Sequence, residues 1–271
     1  MIARVRTQSE LQNQIDDITH AYLEAHPEFI DVAIEKDAAL KGLERAAVEQ
    51  MLHFYPGVIA VAVHEVAHKL YKEGNVPSIV KARELAEAAH SRTGIDIHPG
   101  TTTGANLFID HGTGDVIGET ATIGRNTQIM HKVTLGAYAN PKERRPEVLA
   151  HRHPEIGENC FIAVGVEVLG NVKVGNNVKL LSKSMLHGNN IRVEDDVRIG
   201  TGADIEDGCT IAKGIKIGEG AFIHRGSGQI NVDIRPHSQV FRDDDGALHI
   251  VDGVPEQFRK SRPGHEIEWA I

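Results

Sequence analysis

The sequence predicts an α + all-β chain in which an N-terminal helical domain precedes a parallel β-helix. Helical hydrophobic spacing before residue 92 and aliphatic residues that recur every six positions after it predict this division. Composition agrees, because aromatic residues make up only 4% of the chain while 27 residues are glycine. Small aliphatic side chains and frequent turns suit thin, repetitive β architecture. We set the boundaries at 1–92, 93–235 and, for a C-terminal strand and tail, 236–271.

The first domain is predicted to be helical throughout. The segment SELQNQIDDITHAYLEAH has apolar residues at helical spacing, and Ser9 is its candidate N-cap. Segments rich in Ala, Leu and Glu predict further helices at roughly 36–53, 57–73 and 77–91, separated by Pro56, Gly74 and Pro77.

The second domain carries the six-residue period. Each hexad is expected to form a short strand and a turn, with its aliphatic side chain pointing into a shared core. One extra residue near HGNN shifts the register, and a Pro-containing excursion loop at 137–153 interrupts it. The sixteen predicted inward positions are Ile117, Ile123, Ile129, Leu135, Ile156, Ile162, Val168, Val174, Leu180, Leu186, Val193, Ile199, Ile205, Ile211, Ile217 and Ile223.

Charge and cysteine content exclude several classes of protein. A net charge of −9 gives no general attraction to nucleic acid or to an anionic membrane. Cys160 and Cys209 are too few for a disulfide framework and indicate a reducing compartment. No run of 18 apolar residues is present, and MIARVRTQSE lacks the apolar stretch of a signal peptide. We therefore expect a cytoplasmic protein without nucleic-acid or membrane partners.

Ionisable residues cluster near the two ends of the excursion loop. IDIHP and FIDHGTG precede the loop, HRHP closes it, and Glu119 lies between them in VIGETATIG. Loops on a repetitive scaffold commonly carry function, so these segments are the candidate site.

The motifs TGIDIHPG, FIDHGTGDVIGETATIG, VTLGA, RHPEIG and VLGN, in this order, resemble the serine O-acetyltransferase family of hexapeptide-repeat acyltransferases. The resemblance runs almost continuously from about residue 54 to 175, beginning with FYPGVIAVAVHEVAHKLYKEG. It implies a left-handed parallel β-helix that transfers acetyl from acetyl-CoA to L-serine for cysteine biosynthesis. The family's ending motif, G-x-P-A, is absent, and the hexads continue to about residue 235. The β-helix is therefore expected to be longer than is usual in the family.

The resemblance also implies catalytic roles. His111 matches the general base that takes the proton of the serine hydroxyl, a role suited to imidazole. Asp96 matches the carboxylate that orients this ring and stabilises its cation. His153 matches a second histidine that contacts substrate or the developing oxyanion.

Substrate-binding roles follow in the same way. Asp110 matches the residue that binds the serine ammonium, and Arg152 matches the one that binds its carboxylate. The family adds an N-terminal aspartate for the ammonium, for which Asp37 in KDAALKG is the candidate and Glu44 is the alternative.

For acetyl-CoA, the resemblance points to Ala137, Ala163 and Gly165 as small residues along the pantetheine channel. The segment 179–186 departs from the family's small residues, with two open consequences: the pantetheine channel is altered, or Lys179 and Lys183 contact the CoA phosphates instead. No metal is expected.

The resemblance implies a homotrimer or hexamer, with sites between subunits. The C-terminal Ile271 matches the residue through which several relatives bind O-acetylserine sulfhydrylase.

Three other functions remain open. The acceptor can be another small hydroxyl or amino compound, or the β-helix can be a scaffold without activity. The third is a zinc peptidase, because HEVAH places His64, Glu65 and His68 at metal-ligand spacing, with Glu84 or Glu87 as a further ligand. Apolar neighbours on the same helix favour packing or hydrogen bonding for the histidines and a solvated or ion-paired Glu65.

Overall fold

The computed structural model describes residues 7–138 and 151–253. Helices α1–α5 occupy Gln8–Ala25, Glu28–Lys36, Arg45–Leu52, Pro56–Lys72 and Val76–Thr93, with a 3-10 turn at Ala38–Leu40. The predicted Ile271 contact and most of the excursion loop, residues 139–150, lie outside the described residues.

Short strands follow the helices in a regular succession. Strands β1–β22 occupy Asp96–Ile97, Thr102–Thr103, Phe108–Ile109, Val116–Ile117, Thr122–Ile123, Gln128–Ile129, Thr134–Gly136, Glu155–Ile156, Phe161–Ile162, Glu167–Leu169, Val172–Val174, Lys179–Leu180, Met185–His187, Ile191–Val193, Arg198–Ile199, Asp204–Glu206, Cys209–Ile211, Lys216–Ile217, Phe222–Ile223, Gly228–Ile230, Gln239–Arg242 and Leu248–Val251.

The strands form three parallel sheets, so the chain winds as a three-sided prism. The first sheet runs β1-β4-β7-β10-β13-β16-β19-β21, the second begins with β2 and the third ends with β3. Three corners join them. The first corner connects the first sheet to the second, as at 118–121, and the second corner connects the second to the third, as at 124–127. The third corner returns to the first sheet, as at 130–133.

The predicted core register is confirmed. All sixteen aliphatic positions are buried, and they stack directly on one another between coils, as Ile129 does on Ile162 and Ile162 on Leu180. Burial of an aliphatic side chain contributes about 1.5–3 kcal/mol, and the stacks of the three sheets meet in one apolar cluster inside the prism. β22 then turns back antiparallel to β21 and ends the described part of the coil.

Two helical predictions are wrong. Thr7, not Ser9, caps α1, because its side chain accepts from the Glu10 N–H while the Glu10 carboxylate accepts from the Thr7 N–H. The expected helix at 36–53 is interrupted, since Asp37 caps a 3-10 turn and Gly42 adopts φ +85° before α3 begins. The segment Glu28–Lys36, which lies between the first two helical segments named from the sequence, forms α2.

The helices pack against the first coils of the prism. Phe108 of β3 is buried in the same apolar cluster as Phe29 of α2, and α5 ends at Thr93, three residues before β1 begins. Among the described residues no single helix is long and apolar enough to span a membrane. α3 and α4 reach that length and composition only together, across a bend of 66°. The domain boundaries themselves stay predictions.

Candidate active site

Asp110 and His111 leave β3 at the third corner of the first complete coil. His111 adopts φ +62°, which turns its side chain outward, 74% exposed. Its Nε2 lies 3.7 Å from the Oδ1 of Asp110, and its ring meets the edge of His131 at a centroid distance of 5.9 Å. The exposed imidazole is therefore accessible to a substrate from outside the coil.

The helical domain brings Asp37 and Tyr55 to this corner. The Oδ2 of Asp37 accepts a 2.8 Å hydrogen bond from the Tyr55 hydroxyl, and its Oδ1 accepts from the Ala39 N–H. Burial, that hydrogen bond and the charges of Asp37 and Asp110 raise the pKa of Tyr55 to about 12. Tyr55 thus remains a hydrogen-bond donor at neutral pH and joins the two domains.

The two carboxylates at this corner repel each other. Burial raises the pKa of Asp110 above its ordinary value, the charges of His111 and His131 lower it, and the charge of Asp37 raises it again. A cation held between Asp37 and Asp110 would offset both the burial and the repulsion. The arrangement is suited to an ammonium group.

Within the described residues, the remaining acidic candidates make no hydrogen bond or ion pair with this group. Asp96 lies half-buried on β1, and within residues 7–138 and 151–253 no hydrogen bond or ion pair joins it to His111. Glu44 is exposed at the N-cap of α3 and makes no capping hydrogen bond there. Of the two N-terminal acids, Asp37 is the one that interacts with Asp110.

Arg152 and His153 lie in a second cluster, at the first corner. The Nη2 of Arg152 donates to Glu119 Oε2 at 2.6 Å, and the hydroxyl of Tyr71 donates to Glu119 Oε1 at 2.8 Å. The ring of His98 meets the Tyr71 ring edge-on at 5.5 Å. Sequence reasoning gave Glu119 no role and did not consider Tyr71, which lies 48 residues away in the chain.

His153 is held in a defined protonation state. Burial, followed by the charge of Arg152, lowers its pKa to about 4, so the ring is neutral at physiological pH. Its Nδ1 accepts from the Thr120 N–H at 3.2 Å, which leaves the proton on Nε2. A Cβ at Gly118 would lie 2.0 Å from that Nε2, so glycine is required beneath the ring. His153 is therefore a hydrogen-bond donor and not a base.

Within one chain the two clusters do not meet. Asp37, Asp110 and His111 are at the third corner, whereas Arg152 and His153 are at the first. The sequence places Asp110 and His111 before the excursion loop and Arg152 and His153 at its end, but it does not indicate which corner each one occupies.

The small residues expected along the acetyl-CoA channel divide between the same two corners. Ala163 and Gly165 follow β9 at the third corner, where the Gly165 N–H donates to the His131 carbonyl at 3.1 Å. The side chain of Lys183, one coil further, passes 3.6 Å from where a Cβ of Gly165 would be. Ala137 follows β7 at the first corner, where the excursion begins.

The HEVAH helix serves packing. His64 is buried, which lowers its pKa to about 4, and His68 Nδ1 lies 2.9 Å from the Pro99 carbonyl. Glu65 is ion-paired with Lys69, as predicted. Across the described ranges, no group of three or more His, Cys, Asp and Glu side chains is arranged to hold a metal ion.

Comparisons with known proteins support the fold. Residues 153–188 match the family "Bacterial transferase hexapeptide (six repeats)". "Serine acetyltransferase, plasmid" of Synechococcus elongatus is 41% identical over 174 residues, which is 62% of this chain and 53% of that protein. "Serine acetyltransferase" of Staphylococcus aureus (strain Mu50) is 43% identical over 157 residues, 58% of this chain and 67% of that protein.

A solved structure gives the same fold. The crystal structure of serine acetyltransferase in complex with coenzyme A from Brucella abortus strain S19 has a TM-score of 0.52 and 28% identity, covering 70% of this chain and 80% of that one. The predicted class, a helical domain followed by a left-handed parallel β-helix, is confirmed. The chain matches about half the length of the Synechococcus relative.

Proposed function

This chain belongs to the serine acetyltransferase family, and on that premise we propose that it transfers the acetyl group of acetyl-CoA to the hydroxyl of L-serine. The product is O-acetylserine, a precursor in cysteine biosynthesis. The coenzyme A complex of the Brucella abortus relative supports acetyl-CoA as the co-substrate.

The choice of L-serine as the acceptor rests on the charged groups at the two corners. Asp110 lies beside the exposed imidazole of His111 and interacts with a second carboxylate, Asp37, while a guanidinium, Arg152, lies beside a neutral histidine. A zwitterionic amino acid presents an ammonium and a carboxylate, and its hydroxyl requires a base. An amino sugar has no carboxylate for Arg152, so the residues favour serine over that acceptor.

The reaction needs no covalent enzyme intermediate. His111 removes the hydroxyl proton as the serine oxygen attacks the thioester carbonyl, forming the new C–O bond and a tetrahedral oxyanion. The Nε2–H of His153 donates a hydrogen bond to that oxyanion. Collapse breaks the C–S bond, and the proton on His111 passes to the departing CoA thiolate. For Asp96, orientation of the His111 ring remains the role implied by the resemblance.

A complete site requires two copies of the chain. The third corner of one copy supplies Asp37, Asp110 and His111, and the first corner of its neighbour supplies Arg152 and His153. A homotrimer meets this requirement, because each of its interfaces joins the third corner of one copy to the first corner of the next. A hexamer of paired trimers keeps the same interfaces.

The same interface suits acetyl-CoA. Ala163 and Gly165 of one copy and Ala137 of the other would line the pantetheine, with Lys183 one coil further for the phosphates. A cytoplasmic location fits this substrate, and a sulfhydrylase that binds Ile271 remains a proposed partner.

Release of free thiol from acetyl-CoA on addition of L-serine tests the proposed function. Replacing His111 with Asn keeps a residue that tolerates positive φ and removes the base. We expect the serine-dependent rate to fall by about 10²–10⁴-fold, the usual contribution of a general base.

His90→Ala is the control, because His90 is an exposed residue of α5 whose ion-pair partner, Glu87, belongs to the same helix. Faster release with ethanolamine or an amino sugar than with L-serine would favour the alternative acceptor. Full activity in His111→Asn would overturn the role of His111.

A further inference from the structure

The third corner that carries His111 is longer than the corner stacked on it in the next coil. β3 pairs with β6 and β4 pairs with β7, so residues 110–115 lie opposite residues 130–133, with two residues in excess. Backbone pairing between the two corners resumes where the Lys132 N–H donates to the Thr113 carbonyl at 3.2 Å. The extra residues bulge outward, and His111 lies on that bulge.

The side chain of His131, in the next coil, lies against the ring of His111. The two rings meet edge to face, with centroids 5.9 Å apart and an angle of 80° between their planes. Aromatic rings favour this arrangement. We propose that His131 is a positioning residue, whose ring holds the His111 imidazole in the orientation that general-base catalysis requires. This inference rests on the proposed function.

The contact is one of ring packing and not of hydrogen bonding. Within residues 7–138 and 151–253, the Nδ1 of His131 is buried without a hydrogen-bond partner, and no hydrogen bond joins the ring to His111. The backbone of His131 is fixed, because its carbonyl accepts from the Gly165 N–H at 3.1 Å. A planar ring of similar size at this position should therefore support His111 equally well.

His111 needs such a support because little else in the described chain restrains its ring. The side chain is 74% exposed, and its Nε2 lies 3.7 Å from the Asp110 Oδ1, which is beyond hydrogen-bond range. An exposed ring changes rotamer rapidly, whereas proton transfer requires the base to face the hydroxyl. Loss of the supporting ring should therefore slow the chemical step.

Binding of the acceptor should change little when His131 is replaced. Burial, which raises the pKa of Asp110, is the largest influence on that carboxyl group, and the charge of His131, which lowers it, is the smallest. The site for the ammonium thus depends mainly on other groups. A positioning role predicts a lower kcat without a matching change in KM for L-serine.

The test compares His131→Ala, His131→Gln and His131→Phe with the wild-type enzyme. Thiol release gives kcat and KM for L-serine and for acetyl-CoA, and thermal unfolding checks that each variant is folded. Thr201→Ala is the matched control. The Thr201 carbonyl accepts from the Gly220 N–H at 2.8 Å, as that of His131 does from Gly165, so Thr201 has the same corner position in a coil farther from His111.

For His131→Ala we expect kcat to fall about tenfold or more, with both KM values within about threefold of the wild type. His131→Gln, which also lacks the ring but keeps a longer polar side chain, should lose activity in the same way. His131→Phe should keep kcat within about threefold, because it retains the edge-to-face contact. Thr201→Ala should match the wild type in every constant.

An unchanged kcat in both His131→Ala and His131→Gln, with an active wild-type enzyme, would overturn this inference alone. An equal fall of kcat in His131→Phe would do the same, because it would assign the effect to the ring nitrogens. A rise confined to KM would also contradict a positioning role. A wild-type enzyme that releases no thiol with L-serine would overturn the proposed function and this inference together.

Discussion

Asp115 is a buried carboxyl group beside the third corner. Its side chain is 1% exposed, and its Oδ1 accepts from the Val133 N–H at 2.8 Å. Its Oδ2 is buried and has no partner within the described ranges. Burial raises the pKa of Asp115 to about 7. Because the folded state holds this proton more tightly than the unfolded chain, the contribution of Asp115 to stability is greatest below about pH 4 and is lost as the pH rises towards 7.

Asp115→Asn keeps the acceptor for the Val133 N–H and removes the charge. We expect the variant to unfold about 5 °C or more above the wild type at pH 8, and this advantage to disappear near pH 4. Thermal unfolding followed at both pH values measures it. Asp244→Asn, at an exposed turn, is the control; an equal shift at both pH values would contradict the assigned pKa.

At this scale the sequence identified residues but not their contacts. His111, Arg152 and His153 were found because they belong to short motifs with a characteristic order. Glu119 and Tyr71 carry no local pattern that reveals their hydrogen bond, since it spans two domains. The neutral state of His153 likewise depends on burial and on the Arg152 charge, which a sequence does not give.

At the scale of elements, α4 and β3 are in direct contact. A Cβ at Gly57 would lie 1.9 Å from the Ile109 carbonyl oxygen, so the start of the helix rests on the strand backbone. This contact fixes where Tyr55, two residues before Gly57, meets Asp110, one residue after Ile109. The Y-P-G segment thus aligns the helical domain with the candidate site.

Gly57→Ala should force the helix away from the strand. Overpacking of this kind lowers the free energy of unfolding by about 1–3 kcal/mol. The displacement of Tyr55 and Asp37 should also raise KM for L-serine. Urea unfolding and thiol-release kinetics measure the two effects. Val76→Ala, in the first turn of α5 and 72% exposed, is the matched control. If Gly57→Ala changed neither the free energy of unfolding nor KM for L-serine, the contact between α4 and β3 would be dispensable.

The strands of the β-helix were predicted more accurately than the helices. The six-residue period fixes the register of the β-helix because every coil repeats the same local environment. The helical segment near 36–53 was predicted as continuous since its Ala- and Glu-rich composition favours a helix locally. The helix is interrupted after Asp37, whose side chain accepts a hydrogen bond from Tyr55 in the folded protein. Composition does not reveal that contact.

At the scale of the whole molecule, the separation of the two clusters makes the catalytic unit an interface between copies. His111→Asn and Arg152→Ala should each be nearly inactive alone. Mixed assemblies contain interfaces that combine an intact third corner with an intact first corner. Random equal mixing restores about a quarter of the sites, one half multiplied by one half.

Co-expression of differently tagged variants, followed by tandem purification and thiol release, measures this complementation. The control is the same mixture assembled from separately purified oligomers that have not exchanged subunits. Activity equal to the sum of the two variants would place the whole site within one chain.

The excursion leaves the coil between two strands that are paired on both sides. β7 is bonded to β4 and β10, and β8 is bonded to β5 and β11. The hydrogen-bond ladders therefore do not depend on the length or composition of the intervening segment. Selection can therefore vary residues 137–153 while the ladders on both sides, whose bonds lie outside that range, are inherited unchanged.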